Sequence, residues 1–141
     1  MLLAGDGDDF VFGQGGRDVL FGGQGNDFLE GGSGRDTVDG GYGDDVLFAD
    51  AGLDLLIGGS GYDIFTFAGN TRGGTILDWQ DGQDLIDLTR FDGVDTFDDL
   101  GIGQTSDQTA RIVLTNEDCR EVEIELIASA AFTLGVEDFV I

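Results

Sequence analysis

The sequence predicts an all-β protein in which stacked two-stranded coils are followed by a β-rich capping region. Two observations carry the prediction: a nine-residue period runs through residues 4–66, and a non-repetitive second half contains short segments of alternating apolar and polar residues. The 141 residues allow one domain or two small ones. We expect a repeat segment at residues 1–67 and a capping region at residues 68–141.

The repeat contains seven units with the consensus G-G-x-G-x-D-x-U-x, where U is a large apolar residue. The units begin at Ala4, Gly13, Gly22, Gly31, Gly40, Ala49 and Gly58. Position 6 is always aspartate: Asp9, Asp18, Asp27, Asp36, Asp45, Asp54 and Asp63. Position 8 is always apolar: Val11, Leu20, Leu29, Val38, Leu47, Leu56 and Phe65.

Each unit has the composition of a sharp turn followed by a minimal strand. Six residues with up to three glycines can turn through positive φ, and the next three point outward, inward and outward. Two units then make one 18-residue coil, and seven units make 3.5 coils with the position-8 residues inside. Since Leu2 lies nine residues before Val11, we expect the chain to start inside a longer array.

The charge balance excludes several classes of function. The chain has 29 acidic and 6 basic residues, a net charge of -23, no histidine and one cysteine. Such a polyanion does not favour nucleic acid, and no run of about 18 apolar residues is available to span a bilayer. One cysteine excludes an intramolecular disulfide framework and a cysteine-based zinc site, and the absence of histidine excludes a Ser-His-Asp triad.

Coil stacking brings the aspartates of alternate units into two rows. One row holds Asp9, Asp27, Asp45 and Asp63, and the other holds Asp18, Asp36 and Asp54. Carboxylates about 5 Å apart repel by about 3 kcal/mol at an effective dielectric constant near 20. A Ca²⁺ ion in each gap would remove that repulsion, which predicts five ions for the five gaps.

The nonapeptide resembles the RTX (repeats-in-toxin) family of secreted bacterial proteins. The resemblance implies a parallel β-roll, a right-handed β-helix of nonapeptide repeats. It also implies that each ion binds the position-6 aspartates of two coils, carbonyls of positions 2 and 4 of one turn, and carbonyls of positions 1 and 3 of the next. The first ion would then use Gly5, Gly7 and Asp9 with Gly22, Gln24 and Asp27.

The complete set of implied ligands comprises the seven position-6 aspartates and residues of the turns. These turn residues are Gly5, Gly7, Gln14, Gly16, Gly22, Gly23, Gln24, Gly25, Gly31, Gly32, Ser33, Gly34, Gly40, Gly41, Tyr42, Gly43, Ala49, Ala51, Gly58 and Ser60. Two units depart from the consensus. Gln14 replaces a glycine, and the unit Ala49–Ile57 lacks three small or polar residues, which makes the Asp36/Asp54 site the weakest of the five.

Other motif interpretations fail on spacing. Asp6-Gly7-Asp8 begins like an EF-hand loop, but Val11 and Arg17 occupy the positions that require glycine and glutamate. The Gly-x-Gly pairs lack the third glycine of a dinucleotide loop and any following G-K-[ST]. A flexible linker would not hold an apolar residue in phase through the whole repeat.

The second half reads as a β-rich cap for the open end of the stack. We predict strands at 75–79, 85–88, 111–115 and 121–127, with a turn at 80–83 and a hairpin turn at 116–120. A helical turn capped by Thr96 is predicted at 96–100, and a turn and final strand at 134–141. The segment from Thr75 to Leu88 also resembles the stretch that follows the repeats in serralysin-type proteases.

Several residues of the cap have alternative interpretations. Asp78, Asp84 and Asp87 fit a paired-carboxylate acid/base site, although turn capping is the preferred interpretation. Trp79 and Phe91 are assigned to the core, and Cys119 to an incidental free thiol in the hairpin turn. The last residues, 137–141, resemble C-terminal signals of type I secretion systems.

We therefore expect a secreted, non-catalytic module that folds on binding Ca²⁺ and supports type I export of a longer protein, and that is a monomer in isolation. A second hypothesis is a Ca²⁺-dependent module that binds an anionic polysaccharide, similar to the R-modules of alginate epimerases, or an adhesin. Basic stripes or exposed aromatic residues would favour it, and the aromatic candidates are Phe10, Phe12, Phe21, Phe28, Phe48 and Tyr42. A catalytic role for this segment is disfavoured, because the repeat carboxylates are committed to metal.

Overall fold

The computed structural model describes residues 1–91, 93–106, 108–115 and 121–141. The repeat segment contributes ten strands: β1 Leu2–Asp6, β2 Phe10–Phe12, β3 Gly15–Gly16, β4 Val19–Gln24, β5 Phe28–Glu30, β6 Ser33–Gly34, β7 Thr37–Tyr42, β8 Val46–Ala49, β9 Asp54–Ser60 and β10 Ile64–Phe67. Six more follow: β11 Gly73–Trp79, β12 Leu85–Asp87, β13 Gly101–Ser106, β14 Thr109–Thr115, β15 Glu121–Ala128 and β16 Phe139–Val140. Two short 3₁₀ helices span Phe97–Asp99 and Val136–Asp138.

The strands form the expected parallel β-roll. It has about five turns, more than the 3.5 coils of the repeat, because strands of the cap extend it. The larger sheet has the order β1-β4-β7-β9-β11-β15-β14-β13, and the second has the order β16-β12-β10-β8-β5-β2. A third sheet contains only β3 and β6, which lie in turns of the repeat. Within the repeat the strands pair in parallel with a register of 18 residues, for example Val38 with Leu56 and Leu29 with Leu47. Each coil therefore contributes one strand to each of the first two sheets.

The position-8 residues fill the interior between the two sheets. Leu20, Leu29, Leu47 and Phe65 are fully buried, and the first member, Val11, is 7% exposed because only one coil covers it. The same apolar core continues without a break into the cap through Ile76, Ile86, Ile112 and Ile124. The repeat and the cap thus share one core.

The strands of the larger sheet are longer than the sequence analysis predicts. Instead of three residues, β4 and β7 have six and β9 has seven, because each strand continues into the next turn. Gly23 pairs with Gly41 and Gln24 with Tyr42, so the first positions of these turns remain in the ladder. The prediction of three residues holds for β2 and β5 in the other sheet.

Both sheets extend beyond the last nonapeptide. β11 pairs with β9 and β12 pairs with β10, which adds strands to each sheet although residues 68–91 contain no repeat. β15 then pairs in parallel with β11, and β14 pairs antiparallel with β15. Val122, Ile124 and Leu126 of β15 are buried, while the glutamates between them are exposed, as the alternation predicts.

The remaining cap elements confirm some predictions and correct others. The turn at 80–83, the strand of residues 85–87 and the final turn and strand are present. The 3₁₀ turn at 97–99 follows Thr96, but Thr96 donates its hydroxyl to Asp99 instead of accepting from the backbone. β13 has no counterpart in the sequence analysis, and the hairpin turn 116–120 with Cys119 lies outside the described residues. No helix in the described part of the chain is long and apolar enough to cross a bilayer.

Candidate calcium sites

The position-6 aspartates form two hydrogen-bonded rows along the two edges of the roll. In each step, the backbone amide of one aspartate donates to Oδ1 of the aspartate 18 residues later. The distances are 2.8 Å for Asp9 to Asp27, 2.7 Å for Asp27 to Asp45, 2.9 Å for Asp45 to Asp63, 2.8 Å for Asp18 to Asp36 and 2.9 Å for Asp36 to Asp54. The rows are those expected from the period of the repeat.

The second oxygen of five stacked carboxylates has no hydrogen-bond partner among the described residues. These buried oxygens are Oδ2 of Asp27, Asp36, Asp45, Asp54 and Asp63. A buried, unpaired carboxylate oxygen is strongly unfavourable unless a cation compensates it. The donor set therefore fits a hard divalent cation, which prefers carboxylate and carbonyl oxygens.

The backbones of successive turns approach one another closely. A Cβ atom at Gly23 would collide with the carbonyl of Gly5, and one at Gly25 would collide with the carbonyl of Gly7. In the opposite direction, the carbonyl of Gln24 accepts a 2.6 Å hydrogen bond from the amide of Gly7. Both glycines 23 and 25 have positive φ, so glycine serves the turn conformation and the close approach together.

The carbonyls matter because carboxylates alone do not make a site. Among the described residues, no group of three or more acidic, cysteine or histidine side chains is placed to hold a metal ion. Any ion between two coils would have to complete its six to eight oxygen ligands from the turn carbonyls.

Comparison with protein families identifies the repeat. Residues 1–29 and 30–65 match the sequence model described as RTX calcium-binding nonapeptide repeat (4 copies). Residues 1–65 belong to this RTX repeat family. RTX repeats bind calcium and are not catalytic, so residues 1–65 form a calcium-binding, non-catalytic part of the β-roll.

Solved structures with the same fold include two RTX-like subunits of the Azotobacter vinelandii mannuronan C5-epimerase. The AlgE6R3 subunit is 28% identical, with a TM-score of 0.56 over 96% of this chain and 78% of that chain. The AlgE6R2 subunit is 24% identical, with a TM-score of 0.61 over 99% of this chain and 91% of that chain, and shows the fold alone. The comparison with curated proteins gave no match.

Burial raises the pKa of three RTX aspartates, Asp45, Asp54 and Asp63. The pKa of Asp45 is raised to about 7, chiefly by desolvation and further by Asp63 and Asp27, against the hydrogen bond from the Asp27 amide. Desolvation likewise raises the pKa of Asp54 and of Asp63 to about 6. Without a cation, burial therefore shifts these three carboxyl groups toward the protonated form.

The two irregular RTX units remain in the stack with altered turns. Gln14 adopts φ 71°, the only positive φ at a described non-glycine residue, and its carbonyl accepts a 2.8 Å hydrogen bond from Ser33. In the unit Ala49–Ile57, neither Asp50 nor Gly52 has positive φ, unlike the equivalent glycines of neighbouring units. Asp54 nevertheless keeps its place in the row and its unpaired Oδ2.

Three polar residues of the cap contact the last repeat turns. Asp84 accepts the amide of Asp63 at 3.2 Å, so it continues the first aspartate row at a spacing of 21 residues. Desolvation raises the pKa of Asp84 to about 7. Asp78 accepts from Gly58 and Gly59, and the Gln80 side chain donates to Gly59. The sequence analysis missed the role of Asp84 in the row because it lies off the 18-residue period.

The acid/base interpretation of the cap carboxylates is not supported by their contacts. Asp78 and Asp84 accept backbone amides, and Asp87 accepts the amide and hydroxyl of Thr89 at 2.9 and 2.6 Å. All three aspartates therefore accept hydrogen bonds from the backbone, in agreement with the turn-capping interpretation that the sequence analysis preferred. Trp79 and Phe91 are buried, with exposures of 1% and 3%, in agreement with their assignment to the core.

A groove on the larger sheet gathers three of the six arginines of this acidic chain. Its volume is about 440 Å³, and Arg17, Arg35 and Arg111 line it together with Glu123 and Glu125. Arg111 pairs with Glu123 at 3.2 Å, whereas Arg17 and Arg35 form no ion pair with another described residue. Asp36 and Asp54 also line the groove, so three arginines face four carboxylates and the groove as a whole is not basic. Among its described residues, only Arg17 and Arg35 offer unpaired positive charge toward an anionic polysaccharide. The sequence contained a signal for this pair of arginines, since Arg17 and Arg35 both stand at position 5 of alternate repeat units.

Proposed function

We propose that this RTX module is unfolded in the low Ca²⁺ of the bacterial cytosol and folds on binding Ca²⁺ outside the cell, where it supports secretion and stability of a longer protein. The observation that carries the proposal is the set of five buried, unpaired Oδ2 atoms in the stacked rows. In their ionised form these carboxylates oppose folding, because their charge is buried without a partner. Bound Ca²⁺ compensates that charge and makes the burial favourable. Binding free energy then becomes folding free energy.

The proposed ligands follow the contacts across each gap. For the step from Asp27 to Asp45, the two carboxylates would act with carbonyls of Gly23 and Gly25 in one turn and of Gly40 and Tyr42 in the next. The amide of Gly25 donates to the carbonyl of Tyr42 at 2.9 Å, and this contact between the two turns supports the assignment of that oxygen. Repeating this arrangement in every gap between repeat aspartates gives five ions.

The magnitude of the linkage suits a folding switch. Extracellular Ca²⁺ modules bind with dissociation constants of about 10⁻⁴ to 10⁻³ M. At ten times that constant, each site stabilises the folded state by about 1.4 kcal/mol, and five sites by about 7 kcal/mol. This is comparable with the whole stability of a typical domain, about 5–15 kcal/mol.

The test of this proposal is the secondary structure with and without Ca²⁺. Far-UV circular dichroism of the chain in excess EDTA should show an unfolded spectrum, and millimolar Ca²⁺ should convert it to a β spectrum. Mg²⁺ at the same concentration serves as the control, because it demands a smaller octahedral site than these turns offer. A β spectrum that persists in EDTA at neutral pH would contradict the proposal.

The C-terminus is proposed as the export signal. In the folded module Asp138 is 2% exposed and Phe139 is 8% exposed, and β16 pairs with β12. Asp138 and Phe139 are thus inaccessible in the folded module, although Glu137, Val140 and Ile141 are exposed. An exporter that recognises the two buried residues would have to read them before the module folds. Deletion of residues 137–141 should abolish export through a co-expressed type I system, and secretion at the full level would contradict this part of the proposal.

The arginine groove favours a second candidate function, binding of an anionic polysaccharide. Arg17 and Arg35 are exposed and unpaired with described residues, and one of the similar structures is a subunit of a mannuronan epimerase. Calorimetric titration of the Ca²⁺-loaded module with a mannuronate hexamer should give heat that is lost in Arg17→Gln/Arg35→Gln. Arg90→Gln, at a cation–π contact with Phe48 outside the groove, is the matched control. Absence of heat from the wild-type module would remove this candidate.

A further inference from the structure

The first aspartate row does not end with the last nonapeptide. Asp84, from the non-repetitive turn after β11, accepts the amide of Asp63 through Oδ1 at 3.2 Å and is only 1% exposed. It therefore occupies the same place relative to Asp63 that Asp63 occupies relative to Asp45. The cap thus adds a sixth buried carboxylate to the rows.

This sixth carboxylate differs from the other five in its second oxygen. Oδ2 of Asp84 accepts a 2.8 Å hydrogen bond from the backbone amide of Gln80, whereas Oδ2 of Asp63 and of Asp45 has no partner. At Asp84 a backbone amide pairs with the second carboxylate oxygen, whereas at the five earlier buried aspartates that oxygen has no partner among the described residues. The need for a cation is correspondingly removed at this step.

The side chain of Gln80 acts on the opposite wall of the same gap. Its Nε2 donates at 2.7 Å to the carbonyl of Gly59, which is position 2 of the last repeat unit. That carbonyl belongs to the set that would bind an ion if another RTX turn followed. Gln83 donates at 2.9 Å to Oε1 of Gln80 and so orients its amide with the nitrogen toward Gly59.

The other row ends in a related way. The backbone amide of Arg72 donates at 3.0 Å to the carbonyl of Gly52, which is position 4 of the last unit on that edge. At both ends, N–H donors from the cap contact the carbonyls that repeat turns direct into a gap. Gln80 adds a side-chain donor and also supplies the amide that satisfies the row's last aspartate.

We infer that Gln80 closes the gap between Asp63 and Asp84 in place of Ca²⁺, so that the cap joins this edge of the roll through protein hydrogen bonds alone. The inference rests on the proposed calcium rows, because it states where the first of them stops. It assigns to Gln80 the role of limiting the number of ions and of holding the cap against the last RTX turn.

Ion counting by native mass spectrometry in saturating Ca²⁺ tests the inference. Asp84→Asn should bind the same number of ions as the wild type, whereas Asp45→Asn should lose at least one. If Asp84→Asn loses one ion while its circular dichroism is unchanged, the gap holds Ca²⁺ and the inference is wrong. If Asp45→Asn loses none, the proposed rows themselves fail, so the two failures are distinguishable.

A second variant tests the role of the Gln80 amide directly. Gln80→Glu removes the donor to Gly59 and adds a carboxylate beside Asp63 and Asp84, so it should bind one ion more than the wild type. Gln108→Glu makes the same change at an exposed glutamine outside the aspartate rows and should leave the count unchanged. An unchanged count in Gln80→Glu would overturn the claim that this amide excludes the ion.

Discussion

The backbone amide of Asp27 donates a 2.7 Å hydrogen bond to Oδ1 of Asp45, while Oδ2 of Asp45 is buried without a hydrogen-bond partner. One oxygen of the carboxylate thus sets the register of the coils, and the other creates the demand for a cation. Folding and ion binding therefore depend on the same side chain at every step of the rows. This coupling gives the following predictions.

Asp45→Asn should raise the Ca²⁺ concentration at the folding midpoint and lower the cooperativity of folding. The asparagine retains an acceptor for the Asp27 amide but removes the charge shared by two proposed sites. Loss of both sites would remove about 3 kcal/mol at ten times the dissociation constant. Circular dichroism during Ca²⁺ titration measures the midpoint. The control is Asp44→Asn, which makes the same charge change at an exposed neighbour that accepts a hydrogen bond from the Tyr62 amide. An equal shift of the Ca²⁺ midpoint in that variant would contradict the role of Asp45.

The Ca²⁺-free protein should become more stable as the pH falls from about 8 to 5. The folded-state pKa values of about 7 for Asp45 and about 6 for Asp54 and Asp63 lie above the ordinary value of 3.8, so the folded state binds more protons. The free energy of unfolding therefore falls as the pH rises through these values, by on the order of a few kcal/mol per group. Below about 3.8 no further gain is expected.

The fraction of folded protein in calcium-depleted buffer, followed by circular dichroism from pH 8 to pH 5, measures this dependence. The free energy of unfolding that it gives should be negative at neutral pH and should rise as the pH falls. The Asp45→Asn variant should show a shallower dependence, because it lacks one of the titrating groups. A free energy of unfolding that is flat or increases between pH 5 and 8 would contradict the expected direction.

Gly25→Ala should destabilise the folded module more than Gly7→Ala. Both glycines stand at position 4 with positive φ, at 124° and 107°, so backbone strain of about 1 kcal/mol applies to each. Only at Gly25 would the new Cβ collide with a carbonyl, that of Gly7 in the preceding coil. Melting temperatures in saturating Ca²⁺ compare the two. Equal losses would show that the approach of the coils is not the constraint on this position.

Leu47→Ala should lower the melting temperature of the Ca²⁺-loaded module by on the order of 10 °C. Leu47 is fully buried at position 8, and such a truncation removes about 2–5 kcal/mol of stability. Leu53→Ala is the control, since Leu53 is 52% exposed and its truncation should change stability by less than about 0.5 kcal/mol. Scanning calorimetry measures both, and a small effect at Leu47 would contradict its role in the core.

The repeat made most of the roll predictable, and the exceptions have identifiable causes. The period placed Leu29 over Leu47 and Asp27 over Asp45 because each coil contacts the next at a constant separation of 18 residues. The period did not reveal that β4 would extend into its turn to Gln24, since propensity disfavours glycine in strands and ladder pairing overrides it. β13 was missed because Gly101 and Gly103 conceal the alternation of apolar and polar residues that marks a strand.

The sequence alone determined the architecture of the coils, the apolar core inside the coils and the two aspartate rows, because identical contacts between neighbouring coils recur at one fixed spacing. The tertiary structure alone decided how the array ends. Gly73 pairs with Glu123 and Ile86 with Phe139, and Asp84 joins its row 21 residues after Asp63. Such contacts at irregular separations follow from how the cap packs on the last coil, for which no periodic signal exists.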